Sequence, residues 1–124
     1  MTISRDRART TLAAIRLVNG VAALFAPRLV ARILGVDPAK SPAVLYVLRM
    51  FGVRTAVIGL ELLVSEGEHL EDALRVGIAI HASDTIAAII AGFRHQLPAR
   101  HAATTTLISS INTGLAIVAA TAEK

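Results

Sequence analysis

Residues 102–122 read AATTTLISSINTGLAIVAATA and contain no charged side chain. As a helix, a run of this length would extend for about 30 Å, which is the hydrocarbon thickness of a bilayer. A soluble helix without charge over about five turns would have to be buried on every side. A chain of 124 residues is too small to surround such a helix with other elements. The segment therefore predicts a helix that spans a membrane.

Three further stretches have the apolar length of about 20 residues that a span requires, at 8–26, 43–64 and 73–93. The alternative is a soluble four-helix bundle, whose helices would each show a polar outer face. That face is missing from three runs that are apolar on every side, at 44–48, 56–60 and 86–91. The composition agrees, since 54% of the residues are hydrophobic and 18% are charged, against about 45–50% and 25% in soluble domains. We therefore predict four membrane spans.

The segment between the first two spans predicts a short helix that lies in the membrane interface. It is bounded by Pro27 and Gly35, which are typical start and stop signals of a helix. One face carries apolar side chains and the other carries arginines, namely Leu29, Val30, Ile33 and Leu34 against Arg28 and Arg32. The expected fold is all-α: one domain over 1–124 that forms a transmembrane four-helix bundle, with this interfacial amphipathic helix at about 27–35. Lys and Arg nearly balance across the membrane, so the positive-inside rule predicts no orientation.

The composition also excludes several kinds of chemistry. Without cysteine, the chain can form no disulfide, thiol redox site or iron–sulfur cluster. The net charge of +4 comes mostly from arginines that are scattered through apolar runs, and aromatic residues are too few to stack on bases, so we expect no nucleic-acid partner. The histidines other than His81 fall near the ends of the spans, so no metal site is expected. We expect no cofactor.

Each predicted span carries a strongly polar residue within about one residue of its middle. These residues are Arg16, Arg54, Asp84 and Asn112, in the order of the spans. A charged side chain at the bilayer centre costs about 2.5–3.5 kcal/mol on insertion scales. Side chains at this depth are therefore expected to face the interior of the bundle and to pair with one another or to mark a site.

Helical spacing extends these residues into polar stripes along the predicted spans. The candidate set for a polar interior or a ligand-binding site is Arg16, Asn19, Arg49, Arg54, Glu61, His81, Asp84 and Asn112. Depth predicts that Arg54 pairs with Asp84 and that Glu61 pairs with Arg75, because each pair lies level on adjacent antiparallel helices. The remaining arginines of the set are left without an obvious acid.

Three interpretations of this polar interior are open. It can be a structural network that holds the helices in register. Its surplus arginines can instead bind a lipophilic or anionic small ligand, or an acidic residue of a partner in a homo-oligomer or a larger membrane complex. Thirdly, Asp84 and His81, three residues apart on one helix face, can be the catalytic acid–base pair of an enzyme that acts on a lipophilic substrate within the membrane. The lipid bilayer is a partner in all three, and we favour a non-enzymatic subunit or ligand binder.

The second span contains the motif Leu48-Arg49-Met50-Phe51-Gly52-Val53-Arg54, followed five residues later by Gly59. This motif resembles the R-x-x-G-x-R…G signature of small bacterial four-span proteins of the DoxX-like kind, although Thr55 follows Arg54 where that group often has an acid. A first span followed by Ala26-Pro27 and an acid such as Asp84 in the third span are also similar to that group. The resemblance implies a four-span protein of the bacterial inner membrane. It implies no particular activity, since the group has no common one.

Overall fold

The computed structural model of the chain describes residues 3–122, and these residues form five α-helices and no strand. The helices are α1 (Arg5–Phe25), α2 (Pro27–Ile33), α3 (Ala43–Val64), α4 (Gly67–Phe93) and α5 (Ala99–Thr121). Each of the four long helices covers one predicted span to within one residue at its end, and the short α2 lies between the first two of them. The predicted all-α fold is therefore confirmed.

The largest difference from the predicted boundaries lies at the start of α4. This helix begins at Gly67, so most of the acidic stretch 65–72, which lies between the predicted second and third spans, forms its first turns. Leu70 and Leu74 are both buried, and their packing into the core holds these turns in place. Glu68 in the first turn also lies near the positive end of the helix dipole, where an acidic side chain is favourable. Burial of the leucines outweighs the polar composition of the stretch.

The four long helices follow the order α3, α1, α5, α4 around the bundle. Helix α1 packs against α3 and α5, and α4 packs against α5, whereas α3 and α4 contact each other much less. The chain reverses direction between successive long helices, so α1 and α4, which lie diagonally across the bundle, run in the same direction, antiparallel to α3 and α5. We call the weakly packed face between α3 and α4 the α3–α4 side.

Helices α1 and α3 approach closely because glycines leave room at their contact. A Cβ added to Gly20 would lie 2.5 Å from the backbone nitrogen of Ala56, and one added to Gly52 would lie 2.6 Å from the nitrogen of Leu24. Gly59 has similarly close neighbours two turns further along α3. Small residues favour such contacts in membranes, where van der Waals packing drives helix association. The backbones of α1 and α3 are therefore in direct contact.

The hydrophobic core lies at the end of the bundle where α1 begins, which we call the N-terminal end. Its buried members come from all four long helices and are Ala8, Leu12, Ala13, Leu62, Leu70, Leu74, Ala116 and Ala119. Alanines of α1 and α5 thus pack against leucines of α1, α3 and α4. The opposite end, which carries α2, is called the α2 end.

Two arginines of α1 tie the N-terminal end together. The Arg9 guanidinium donates hydrogen bonds to the carbonyl oxygens of Leu62, Leu63 and Ser65 at 2.5, 3.0 and 3.2 Å. Carbonyl groups in the last turn of a helix have no partner within the helix, so Arg9 caps the end of α3. At the same end, Arg5 forms an ion pair with Glu71 of α4.

The outer surface of the bundle is largely apolar. Large hydrophobic side chains are exposed on every long helix, for example Val18, Tyr46, Ile86 and Leu107. Each long helix contains an 18-residue window with a mean hydropathy of 1.2 to 1.6. A soluble monomer rarely exposes a large continuous apolar surface, whereas a helix in contact with lipid requires one. The chain is therefore a small multi-pass membrane protein with four spans.

Candidate functional site

Polar side chains from all four long helices lie at a similar depth near the middle of the bundle, on the α2 side of the hydrophobic core. Buried among them are Arg16 of α1, Thr55 of α3, His81 of α4 and Asn112 of α5. Together with Asp84 and Arg54, which lie further out, these residues are called the polar centre. Its members come from the level at which the sequence places a polar residue in each span.

Asp84 is shared between two arginines. Its Oδ2 lies 3.7 Å from Nη2 of Arg16, and its Oδ1 lies 3.5 Å from Nη2 of Arg54. The predicted Arg54–Asp84 pair is thus present, and Arg16, which the sequence leaves without an acid, has the same partner. The three charges join α1, α3 and α4, and they leave one positive charge in excess.

These three charged side chains form a series from the interior to the surface. The exposed fraction of the side chain is 4% for Arg16, 28% for Asp84 and 47% for Arg54. Because α3 and α4 pack loosely, the carboxylate and the outer guanidinium are accessible from the α3–α4 side. The interior guanidinium is enclosed by the bundle. A molecule that reaches the polar centre from the bilayer would therefore meet Arg54 and Asp84 first.

Several buried polar atoms of this centre have no hydrogen-bond partner among residues 3–122. They are Nε and Nη2 of Arg16, Oγ1 of Thr55, both ring nitrogens of His81, and Oδ1 of Asn112. A buried polar group without a partner typically costs about 1–3 kcal/mol. Apart from the ion pair between Arg16 and Asp84, these atoms have no polar side-chain partner among the described residues, so the centre contains both donors and acceptors without a hydrogen bond.

Arg54 has two stabilising neighbours within the protein. Its guanidinium lies 5.7 Å from the centroid of the Phe51 ring, one turn earlier on α3, a distance at which cation–π attraction operates. Its other neighbour is the carboxylate of Asp84. Neither contact encloses the side chain, so part of a permanently charged group faces outward near the middle of a span.

His81 lies further inside the bundle than Asp84 and Arg54. Its side chain is buried, and its ring extends back along α4 to lie beside Gly77, where an added Cβ would be 3.8 Å from Nε2. One turn later, the Thr85 hydroxyl approaches that of Thr113 of α5 at 3.4 Å, and each of them also bonds to a carbonyl of its own helix. His81 is therefore enclosed between α4 and its neighbours, away from the surface that Asp84 reaches.

The structure places the remaining candidates outside this cluster. Asn19 is half-buried on α1, while Arg49 and Glu61 are exposed on α3. The Glu61–Arg75 pair expected from depth is not formed among the described residues. Arg75 instead lies 3.9 Å from Asp72 on its own helix, with both side chains exposed. Glu61 and Arg75 lie at similar depth, but the rotation of α4 about its axis places Arg75 beside Asp72 and not beside Glu61.

Thr55 is a member of the polar centre that the sequence analysis does not select. Its position could have been found from spacing, because the buried residues of α3 are Leu48, Gly52, Thr55, Gly59 and Leu62. They alternate by four and three residues, as the inward stripe of a packed helix does. A hydroxyl on that stripe, next to Arg54 in the chain, indicates a polar group inside the bundle.

The described residues contain no group of three or more His, Cys, Asp or Glu side chains arranged to hold a metal ion. Comparison of the chain with models of protein families, with curated proteins and with solved structures finds no match. Inferences about function therefore depend on the geometry of the polar centre and on the apolar surface around it.

Proposed function

We propose that this protein binds a lipophilic molecule with an anionic or carbonyl-bearing head group at the polar centre, on the α3–α4 side. The ligand's head group contacts Arg54 and, on further entry, the donors around Arg16. Its apolar part stays in contact with the bilayer. The protein acts as a binder or as a small subunit that presents this ligand within a membrane complex, and it needs no catalytic step.

The observation that carries this proposal is the incomplete neutralisation of Arg54. One carboxylate, Asp84, serves two guanidiniums, and the outer one remains about half exposed near mid-span. A charged side chain at this depth costs about 2.5–3.5 kcal/mol on insertion scales. An anionic or carbonyl oxygen from a ligand supplies the missing acceptor at the place where the charge is exposed.

The surroundings of Arg54 favour an amphiphilic ligand. Met50 and Val57, about one turn before and one turn after it on α3, are both exposed and apolar. Ile80, four residues before Asp84 on α4, is half-buried. A ligand whose polar head occupies the α3–α4 side therefore has apolar side chains beside its tail, whereas a small hydrophilic anion would have to cross the apolar surface first.

A partner subunit is the second candidate for completing the site. Helix α3 exposes Glu61 in addition to Arg54, and these two residues are seven apart and lie on one face of the helix. An adjacent helix with charges at matching depths would pair with both. The outer surface of α3 thus supports a place in a homo-oligomer or a larger membrane complex. The enzymatic alternative receives less support, because a substrate would have to contact His81, whose side chain is 1% exposed.

The setting that we propose is the bacterial inner membrane. It is supported by the R-x-x-G-x-R…G motif of α3, which resembles that of the DoxX-like group, and by a basic composition that uses arginine far more than lysine. A fluorescent fusion expressed in a bacterium, followed by separation of inner and outer membranes, checks this placement. Recovery in the outer-membrane or soluble fraction would contradict it.

The binding proposal is tested by native mass spectrometry of the protein purified in a gentle detergent. We expect the wild type to retain a lipophilic acid or carbonyl compound, and Arg54→Gln to lose it while remaining folded by circular dichroism. Arg49→Gln is the matched control, because this arginine is also exposed on α3 but lies outside the polar centre. Equal retention by all three proteins would refute the proposal. Loss of a co-purifying protein instead of a small molecule would support the subunit role.

A further inference from the structure

The two ends of the bundle carry very different charge. Among the described residues 3–122, basic residues dominate at the α2 end, where Arg28, Arg32, Lys40, Arg49, Arg94 and Arg100 lie against the single acid Asp37. The N-terminal end, within residues 3–122, has more acids than bases, with Asp6, Glu61, Glu66, Glu68, Glu71 and Asp72 against Arg5, Arg7, Arg9 and Arg75. The α2 end therefore carries a net positive charge, which attracts anions.

A pocket of about 360 Å³ lies within this basic end. It is formed by Arg28 and Arg32 of α2 and by the turn 35–39 that follows. Its volume is at the lower end of the range of about 300–1,000 Å³ that is usual for ligand sites. The two arginines are four residues apart, so their side chains lie on the same face of α2, and both are exposed.

The turn that forms the other wall of this pocket is fixed by hydrogen bonds. The Val36 nitrogen donates to the carbonyl of Ala31 at 2.9 Å, and the Ala39 nitrogen donates to Oδ1 of Asp37 at 3.0 Å. Gly35 has a φ of +77°, and a Cβ there would lie 2.6 Å from the ring of His101 on α5. The turn is therefore held against the bundle, and its hydrogen bonds fix this wall of the pocket.

Next to the arginines, α2 exposes an apolar row. Leu29 and Ile33, also four residues apart, are both more than half exposed. A helix with this division of cationic and apolar rows is typical of the membrane interface. The pocket consequently opens at the level where phospholipid head groups meet acyl chains.

We propose that the α2 pocket binds the phosphate of an anionic phospholipid, such as phosphatidylglycerol, in the leaflet at the α2 end. Guanidinium groups match phosphate oxygens by paired hydrogen bonds. The acyl chains lie beside Leu29 and Ile33, and the surrounding basic residues select a lipid with net negative charge over a zwitterionic one. This site is at one end of the bundle and does not depend on the polar centre.

Native mass spectrometry of the purified full-length protein, exchanged into defined lipid and detergent mixtures, tests the proposal. The wild type is expected to prefer phosphatidylglycerol over phosphatidylethanolamine by about fivefold. The double variant Arg28→Gln/Arg32→Gln should lose that preference. Asp37→Asn should strengthen it, because it removes the acid that lines the pocket. The matched control is Arg7→Gln/Arg75→Gln, which removes two exposed arginines from the N-terminal end.

Three results would overturn the proposal. The first is an unchanged lipid preference in Arg28→Gln/Arg32→Gln, and the second is an equal loss in the control variant. The third is saturation of the pocket by inorganic phosphate with no preference among lipids, which would identify a soluble anion as the ligand. If the double variant does not fold, the lipid preference is measured for the single variants instead. Arg28→Lys and Arg32→Lys, which keep the charge, are then compared with Arg28→Gln and Arg32→Gln.

Discussion

The backbone contact between α1 and α3 gives the most sharply defined prediction. We expect Gly20→Ala to destabilise the bundle, because the new methyl group would lie 2.5 and 2.8 Å from the nitrogen and Cα of Ala56 and 2.8 Å from the carbonyl oxygen of Gly52. All three neighbours are backbone atoms, so no side chain can move aside. The matched control is Gly114→Ala on α5, where an added Cβ has no neighbour within 4 Å.

The magnitude follows from the displacement that the methyl group requires. Carbon contacts are favourable at about 3.5–4.0 Å, so α1 and α3 must separate by roughly 1 Å, and a gap of that size forfeits about a quarter to a half of each neighbouring contact. Overpacking of this kind costs about 1–3 kcal/mol. In the control Gly114→Ala, alanine has the higher helix propensity, and this raises the free energy of unfolding by up to about 1 kcal/mol.

The assay is unfolding of the purified protein in mixed micelles of a mild detergent and sodium dodecyl sulfate, followed by circular dichroism. Gly20→Ala is expected to shift the midpoint towards less denaturing conditions, and Gly114→Ala is expected to leave it unchanged or raise it. An unchanged midpoint for Gly20→Ala would refute the close approach of α1 and α3. A loss of stability in the control equal to that in Gly20→Ala would show that the effect does not come from this contact.

Three further predictions concern the free energy of unfolding in the same assay, and the second adds a measurement of amide hydrogen exchange. Asp84→Asn should cost about 3–5 kcal/mol, because it leaves the buried Arg16 without its counter-ion; a cost below 1 kcal/mol would contradict the central ion pair. Arg9→Gln should cost about 1–3 kcal/mol and should speed amide hydrogen exchange at the end of α3, which this arginine caps; unchanged exchange there would refute the cap. Leu12→Ala should cost about 2–5 kcal/mol because the side chain is fully buried, whereas Val18→Ala, on the exposed surface of the same helix, should be close to neutral; equal effects would contradict the position of the core.

The spans could be predicted from the sequence because their signal is strong and local. A stretch such as 102–122 without charge has few alternatives to a membrane span in so small a chain. The short helix between the first two spans follows equally from Pro27, Gly35 and the two arginines between them. Depth along a span is also a property of the sequence, and it was sufficient to pair Arg54 with Asp84.

Contacts between helices could not be predicted to the same extent, since hydropathy fixes neither the order of helices around the bundle nor their rotation. The Arg16–Asp84 pair joins α1 and α4 across the diagonal, and nothing in the sequence says that these two helices face each other. Glu61 and Arg75 are at similar depth, yet Arg75 contacts Asp72 on its own helix. Arg9 bonds to main-chain carbonyls, and such a partner leaves no trace in side-chain patterns.

The central claim is that the accessible charge of Arg54 recognises the head group of an amphiphile. The most direct measurement is the thermal unfolding of delipidated wild type and Arg54→Gln, each with a long-chain carboxylic acid or with the alcohol of the same chain length. Binding stabilises the folded state by about 2.7 kcal/mol at a ligand concentration of 100 times Kd. We expect the acid to raise the Tm of the wild type by much more than it raises the Tm of Arg54→Gln. The alcohol is expected to raise the Tm of neither protein. Equal stabilisation of both proteins by the acid, or of the wild type by acid and alcohol alike, would contradict the claim.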